Sequence, residues 1–206
     1  MTITRRGWIK GSAASTALLT IVPRHVLGGK GFVPPSEKVN VAIIGAGGMG
    51  MRNTQSLLNE PEARVVAVCD VAEQTDLTAY WYKCYAGRKP TRALVEQHYS
   101  ETGAGYRCAE YEDFRVMLEK EKGIDAVLCA TPDHTHAFVS ITAMRMGKHV
   151  YCEKPLAHNI WETRRVAQVA KETGVATQMG NHGHSGSGIR TICEWVWDGA
   201  IGPVRE

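Results

Sequence analysis

Three glycines placed directly behind an apolar run constrain this chain more than any other feature. Val39-Asn40-Val41-Ala42-Ile43-Ile44 breaks off at Gly45-Ala46-Gly47-Gly48-Met49-Gly50, and a helix-compatible stretch follows. A short, nearly uninterrupted apolar run predicts a strand buried on both faces, here turning tightly into a helix with a bare N-terminus. Gly45, Gly47 and Gly50 stand in G-x-G-x-x-G spacing. In such a turn the first glycine permits the sharp bend, the second lets a pyrophosphate approach the backbone, and the third allows close helix–strand packing. The unpaired N–H groups and positive dipole end of the helix suit phosphate. Gly45, Gly47, Gly48, Met49 and Gly50 are therefore the candidate phosphate-binding residues.

Glycine-rich turns are common, so the pattern alone is weak. A second strand, Arg64-Val65-Val66-Ala67-Val68-Cys69, strengthens it, because it ends in Asp70, 20 positions after Gly50. An acid at that distance suits a ribose 2′-hydroxyl, and its charge repels a 2′-phosphate, which predicts NAD rather than NADP. The competing reading is a structural turn followed by a strand-ending Asp.

Charge matters here by position. The whole chain carries +3, but residues 1–30 hold Arg5, Arg6, Lys10, Arg24 and Lys30 and no acid, which leaves residues 31–206 at −2. That balance has no basic stripe of the kind nucleic-acid binding needs. The basic start, Thr4-Arg5-Arg6-Gly7-Trp8-Ile9-Lys10, precedes a mild apolar segment, Gly11 to Val22. A twin arginine in this setting reads as a twin-arginine export signal over residues 1–28, with the export machinery as partner and a periplasmic destination. The alternative is a basic tail that contains Arg-Arg without being a signal. The uncharged run is too short for a membrane span, and no tidy cleavage site precedes Arg24, so retention at the membrane by an uncleaved signal stays open. Residues 29–38 read as a linker. Six cysteines (Cys69, Cys84, Cys108, Cys129, Cys152, Cys193) show no C-x-x-C pair or ligand-like spacing, so no disulfide and no metal site is expected.

Beyond Asp70, the hydrophilic segment from Glu73 to Gly105 carries Tyr80, Trp81, Tyr82 and Tyr85 and predicts a helix near Leu94–Tyr99. Those aromatics are expected to cover the sheet edge. Phe114, Met117 and Leu118 fall at helical spacing. Ile124–Ala130 reads as a buried strand ending in Thr131-Pro132-Asp133-His134-Thr135-His136. A helix over Ala137–Met146 leads to the strand His149–Cys152, which ends in Glu153-Lys154-Pro155. Asn159 with Glu162 resembles a capping box for a helix to Gly174. Val175–Met179 is a further strand, ending in Gly180-Asn181-His182. A last helix carries Ile189, Ile192, Cys193 and Val196 on one face. This alternation predicts an α/β fold, a Rossmann-type doubly wound parallel sheet over residues 39–200. The candidate site residues all fall at the carboxyl ends of strands, where such sheets bind ligands.

Gly45-Ala-Gly-Gly-Met-Gly50, Ala130-Thr131-Pro132-Asp133-x-x-His136, Gly147-Lys148-His149-Val150 and Glu153-Lys154-Pro155 resemble the Gfo/Idh/MocA family of glucose–fructose oxidoreductases, inositol dehydrogenases and their relatives. The resemblance runs from about Lys38 to the end. It implies a nicotinamide dinucleotide domain followed by a larger α/β domain that binds substrate and builds oligomers. It implies that Lys154 touches substrate and nicotinamide as a catalytic residue, that Pro155 shapes its turn through a cis bond, and that Thr131 and Pro132 line the cofactor cleft. His136 and Glu153 join the cofactor-binding set on the same ground. The family's catalytic Asp and His belong to the second domain, whose first strand is due where residues 201–206 stand, so that domain is expected to be essentially absent from these residues. The activity implied is hydride transfer from a carbinol carbon of a sugar, cyclitol or related polyol. Export then favours a retained cofactor and a redox-neutral cycle, such as glycoside cleavage by an NAD-dependent glycosidase. Two other classes compete: a metal-dependent hydrolase using His134, His136, His182 and His184, and an inactive nucleotide-binding fragment.

Overall fold

The computed structural model describes residues 33–101 and 105–205. The chain divides into two units, residues 1–38 and 39–206. The described part of the first holds a single 3-10 turn, Pro35–Glu37, and the twin-arginine segment lies outside the described residues. Among the described residues, every strand and α-helix belongs to the second unit.

Eight strands form there: β1 (Val39–Ile44), β2 (Ala63–Cys69), β3 (Thr75–Asp76), β4 (Tyr85–Ala86), β5 (Ala109–Tyr111), β6 (Ala126–Cys129), β7 (His149–Glu153) and β8 (Thr177–Gly180). Six of them make one sheet in the order β5-β2-β1-β6-β7-β8, with every pairing parallel. β3 and β4 form a separate antiparallel ladder. The strand order reverses direction between β1 and β6, which creates a crevice beyond their carboxyl ends.

The helices are α1 (Gly48–Leu57), α2 (Arg88–Ser100), α3 (Phe114–Lys120), α4 (His136–Arg145), α5 (Ile160–Thr173) and α6 (Ser187–Trp197). The side-chain alternation of a strand explains how they divide. On β1, Ala42 and Ile44 enter one core with Met117 and Leu118 of α3, Val139 and Met144 of α4, and Val169 of α5. Val41 and Ile43 enter the other with Val65, Val68, Val95 of α2 and Leu58 behind α1. β1 is thus apolar throughout its second half because both its faces are covered. Full burial of a side chain such as Ile43 contributes roughly 1.5–3 kcal/mol.

The expected fold class is observed, with local differences, among them the unexpected β3–β4 ladder. α2 begins at Arg88 rather than near Leu94, since Gly87 at φ +110 turns the chain into it and Pro90 is tolerated in a first turn. β5 was not expected, because a polar three-residue edge strand lacks an apolar signature. At the Asn159 box, Asn159 Oδ1 accepts from the Glu162 amide at 2.9 Å, but the Glu162 carboxylate accepts from the His158 amide instead of that of Asn159. Finally, α6 forms with its apolar positions in register, yet none of its residues is buried.

The glycine turn joins β1 to α1 with almost no spare volume. Gly45 adopts φ +86. A Cβ on Gly50 would lie 1.9 Å from the Gly45 carbonyl oxygen, a backbone atom that has nowhere to move. Gly50→Ala should therefore destabilise the domain by about 3 kcal/mol or more, read as a lowered midpoint in urea unfolding. A midpoint matching that of the unsubstituted chain would contradict this packing.

Candidate functional site

The site is assembled at the carboxyl rim of the sheet. α1 starts with Gly47 as its N-cap residue, no side chain caps it, and its first turn holds no acid. The amides of the first turn, Gly48 and Met49 among them, are thus left for an external acceptor. A Cβ at Gly47 would meet nothing within 4 Å, so the backbone is open to close approach there. These are the features a pyrophosphate requires, and the residues fit a bound dinucleotide.

Asp70 follows β2, half-buried, and does more than the spacing predicts. Its Oδ2 accepts from the Ala46 amide at 2.7 Å and its Oδ1 from the Ala72 amide at 2.8 Å. The carboxylate therefore pins the glycine turn to the end of β2. Each oxygen keeps a further lone pair for a ribose hydroxyl. Asp70, Gly45, Thr131 and Pro132 line one cleft of about 780 Å³ together with Phe114 and Val139. Four of the sequence-predicted residues therefore share one cavity at the point where strand order reverses.

The second half of the site lies beyond β7. Lys154 is exposed and its bond to Pro155 is cis, as the resemblance implies. Glu153 is the last residue of β7 and only 4% exposed. Its Oε1 accepts from Asn53 Nδ2 at 2.6 Å and lies 2.9 Å from His182 Nε2. Glu153 thus faces protein and braces Lys154 from within: Asn53 ties it to α1 and His182 to the turn after β8. Asn53 is a partner that motif reading missed, and His182, considered above only as a metal ligand, meets Glu153 instead. Asn53 shows no signal in sequence beyond its helical place after Gly50.

His136, at the start of α4, is 1% exposed. Its Nδ1 lies 2.6 Å from the Pro155 carbonyl oxygen and its Nε2 lies 2.7 Å from that of Thr131. Both partners are acceptors only, so both ring nitrogens donate and the ring is an imidazolium. Burial alone would lower its pKa; hydrogen bonding to Cys152 and to the two carbonyls outweighs that and raises it to about 9. His136 therefore acts on the cleft indirectly, by holding the Thr131 and Pro155 turns at a fixed separation.

Cys129 and Cys152, paired across β6 and β7, meet His136 with their ligand-type atoms all within 4.8 Å, a convergence that no spacing announces. Both imidazole nitrogens already face carbonyl oxygens, so the ring offers that cluster no lone pair. The four-histidine reading fails as geometry too, since His136 is buried against carbonyls while His182 is engaged by Glu153 and is half-exposed.

A folded-state pKa near 9 against an ordinary value near 6.5 carries a definite sign. The stabilisation is complete below pH 6.5 and is lost as pH rises through 9. Unfolding free energy of the chain should fall by on the order of 2 kcal/mol between those limits, while His136→Phe should lack that fall and be less stable at pH 6. Denaturant titrations at pH 6 and pH 9.5 measure both, and a pH-independent unsubstituted chain would refute the imidazolium.

Residues 39–181 match the GFO_IDH_MocA family model, described as an oxidoreductase family with an NAD-binding Rossmann fold. The scyllo-inositol 2-dehydrogenase (NAD(+)) of Bacillus subtilis (strain 168) is 28% identical over 145 residues, covering 70% of this chain and 36% of that protein. A glycosyl hydrolase family 109 protein of Saccharopolyspora erythraea is 30% identical over 169 residues, covering 82% of this chain and 34% of that protein. The crystal structure of myo-inositol 2-dehydrogenase from Lactobacillus plantarum superposes with a TM-score of 0.63 at 26% identity, over 82% of this chain and 43% of that one. The chain thus spans between about a third and somewhat under half of the length of these relatives. With the bare α1 terminus, Asp70 and the Lys154 turn in place, the chain belongs to the Gfo/Idh/MocA oxidoreductase family, and residues 39–181 are its NAD-binding Rossmann fold.

Proposed function

We propose that this domain serves a nicotinamide-dependent oxidoreductase acting on a secondary alcohol of a sugar, cyclitol or related polyol. The observation that carries the reading is the shared rim: the open amides of α1, the Asp70 cleft and Lys154 lie at carboxyl ends of β1, β2 and β7, strands of one sheet. Bound NAD supplies the hydride acceptor for the carbinol carbon. Gly47, Gly48 and Met49 hold its pyrophosphate by their amides, and Asp70 selects the ribose hydroxyl over a 2′-phosphate. Lys154 presents an ammonium to the substrate hydroxyl and favours its loss of a proton. Glu153 and His136 keep that lysine and the facing Thr131 turn in register. A second domain would supply the remaining acid–base group and the surface for oligomers.

The basic start of the chain supports export by the twin-arginine route to the periplasm, with the cofactor loaded before translocation and retained. A redox-neutral cycle follows from that. The similarity to a glycosyl hydrolase family 109 protein favours a second reading of the same site, glycoside cleavage by transient oxidation. Both readings use Lys154 and the same cofactor.

The test is made on a protein that joins this domain to a substrate domain, assayed with a polyol deuterated at the reacting carbon. Deuterium should appear on the nicotinamide, and Lys154→Ala should lower kcat by about 10²–10⁴-fold while NADH binding persists. Absence of deuterium transfer to bound NAD⁺ from every polyol and glycoside offered would overturn the oxidoreductase reading.

A further inference from the structure

The segment between β2 and α2 carries the aromatic residues expected on the sheet edge. The structure places them elsewhere. β3 and β4 pair as a hairpin, Leu77 N donates to Cys84 O at 2.9 Å within it, and the base is fastened to the glycine turn by Gly87 N donating to Ala46 O at 2.7 Å. Arg88 secures the same base: its guanidinium donates to the Asp70 and Val71 carbonyls and to the Glu73 and Glu110 carboxylates.

From this base the hairpin tip reaches α1. A Cβ on Gly48 would fall 2.3–2.5 Å from ring atoms of Tyr82, so the phenol lies directly on the first residue of α1. Trp81 packs edge-on against Tyr82, with ring centroids 5.2 Å apart, and carries the Arg52 guanidinium 4.2 Å from its ring centre. Lys83, next in sequence, holds a left-handed φ of +52, a conformation unusual for a side chain of that size. Trp81 is 70% exposed, so the tip is not assembled to fill a core. Gly48 is also outside the three fingerprint positions, and the ring of Tyr82 gives the reason it has no side chain.

We propose that the hairpin is a clamp on the pyrophosphate seat, with Tyr82 as a cofactor-retaining residue and Trp81 and Arg52 as its brace. The inference rests on the dinucleotide reading above. The open backbone at Gly47 and the covered one at Gly48 are neighbours, so the phenol borders the place where phosphate meets the α1 amides. An aromatic wall there keeps water from competing for those amides and lowers the local dielectric, which strengthens charge-assisted hydrogen bonds. Arg52 stands one turn further along α1 and pairs with no carboxylate among the described residues, so it adds positive potential to the same rim. The device slows release of a dinucleotide.

NADH is the probe, followed by its fluorescence on the 206-residue chain. Binding by the unsubstituted chain tests the dinucleotide reading; no binding defeats that reading before the clamp is tested. Given binding, Tyr82→Ala should raise the NADH dissociation rate about tenfold, and Tyr82→Phe, which keeps the ring, should release NADH more slowly than Tyr82→Ala. Trp81→Ala, at an exposed position that does not threaten folding, should give an intermediate rate. Gly48→Ala should speed release in the unsubstituted chain by displacing the ring, and should add little once Tyr82→Ala is present. Unchanged or slower release from both Tyr82→Ala and Trp81→Ala overturns the clamp, as does strict additivity of Gly48→Ala and Tyr82→Ala.

Discussion

The structure depends on how closely α1 approaches the end of β1. With the Gly45 carbonyl oxygen only 1.9 Å from where a Gly50 Cβ would stand, the first turn of the helix is pressed against the turn that precedes it. That contact aims the helix axis out of the sheet's centre and leaves its first amides at the crevice between β1 and β6. An α1 displaced outward by a side chain would still be a helix, but its dipole would no longer end at the crevice. Packing and electrostatics are therefore set by the same missing methyl group.

Around that contact, polar groups fix the loops that the apolar core cannot reach. Asp70 holds the Ala46 amide, Glu153 holds Asn53 and His182, and His136 spans the Thr131 and Pro155 carbonyls. Each joins two strand ends through a side chain largely or partly withdrawn from water, where an unmade hydrogen bond is costly and a made one is correspondingly specific. The rim is thus a set of turns held at fixed spacings. Lys154 is exposed at its edge, where the proposed function has it meet a substrate.

Much of this was legible in the residues. Apolar runs buried on both faces announce parallel strands, so β1, β2, β6 and β7 stand where Val39–Ile44, Arg64–Cys69, Ile124–Ala130 and His149–Cys152 place them, apart from a residue or two at the ends. Gly45, Gly50 and Asp70 were visible because each satisfies a spacing rule tied to a backbone or ligand requirement, whereas Lys154 stood out only through the resemblance of Glu153-Lys154-Pro155 to the family's motif. What escaped were contacts between residues remote in sequence and lacking a periodic signature. Nothing in the order of residues says that Tyr82 rests on Gly48, that Asn53 reaches Glu153 one hundred positions away, or that Cys129, His136 and Cys152 converge. The hairpin was missed for the same reason: two-residue strands carry no alternation to read. α6 shows the opposite case, an apolar face plain in sequence of which no residue is fully buried among the described residues.

The central claim is that the uncapped start of α1, together with Asp70 and Thr131, is a preformed seat for a nicotinamide dinucleotide. Amide-resolved NMR of the 206-residue chain titrated with NAD tests it most directly. The account predicts that the largest shifts fall on the amides of Gly47, Gly48 and Met49, with further shifts at Ala46, Ala72 and Thr131, and that the same titration with inorganic phosphate moves only the first group. Binding whose shifts centre away from the β1–α1 turn, or spectra unmoved by NAD at millimolar concentration, would contradict it.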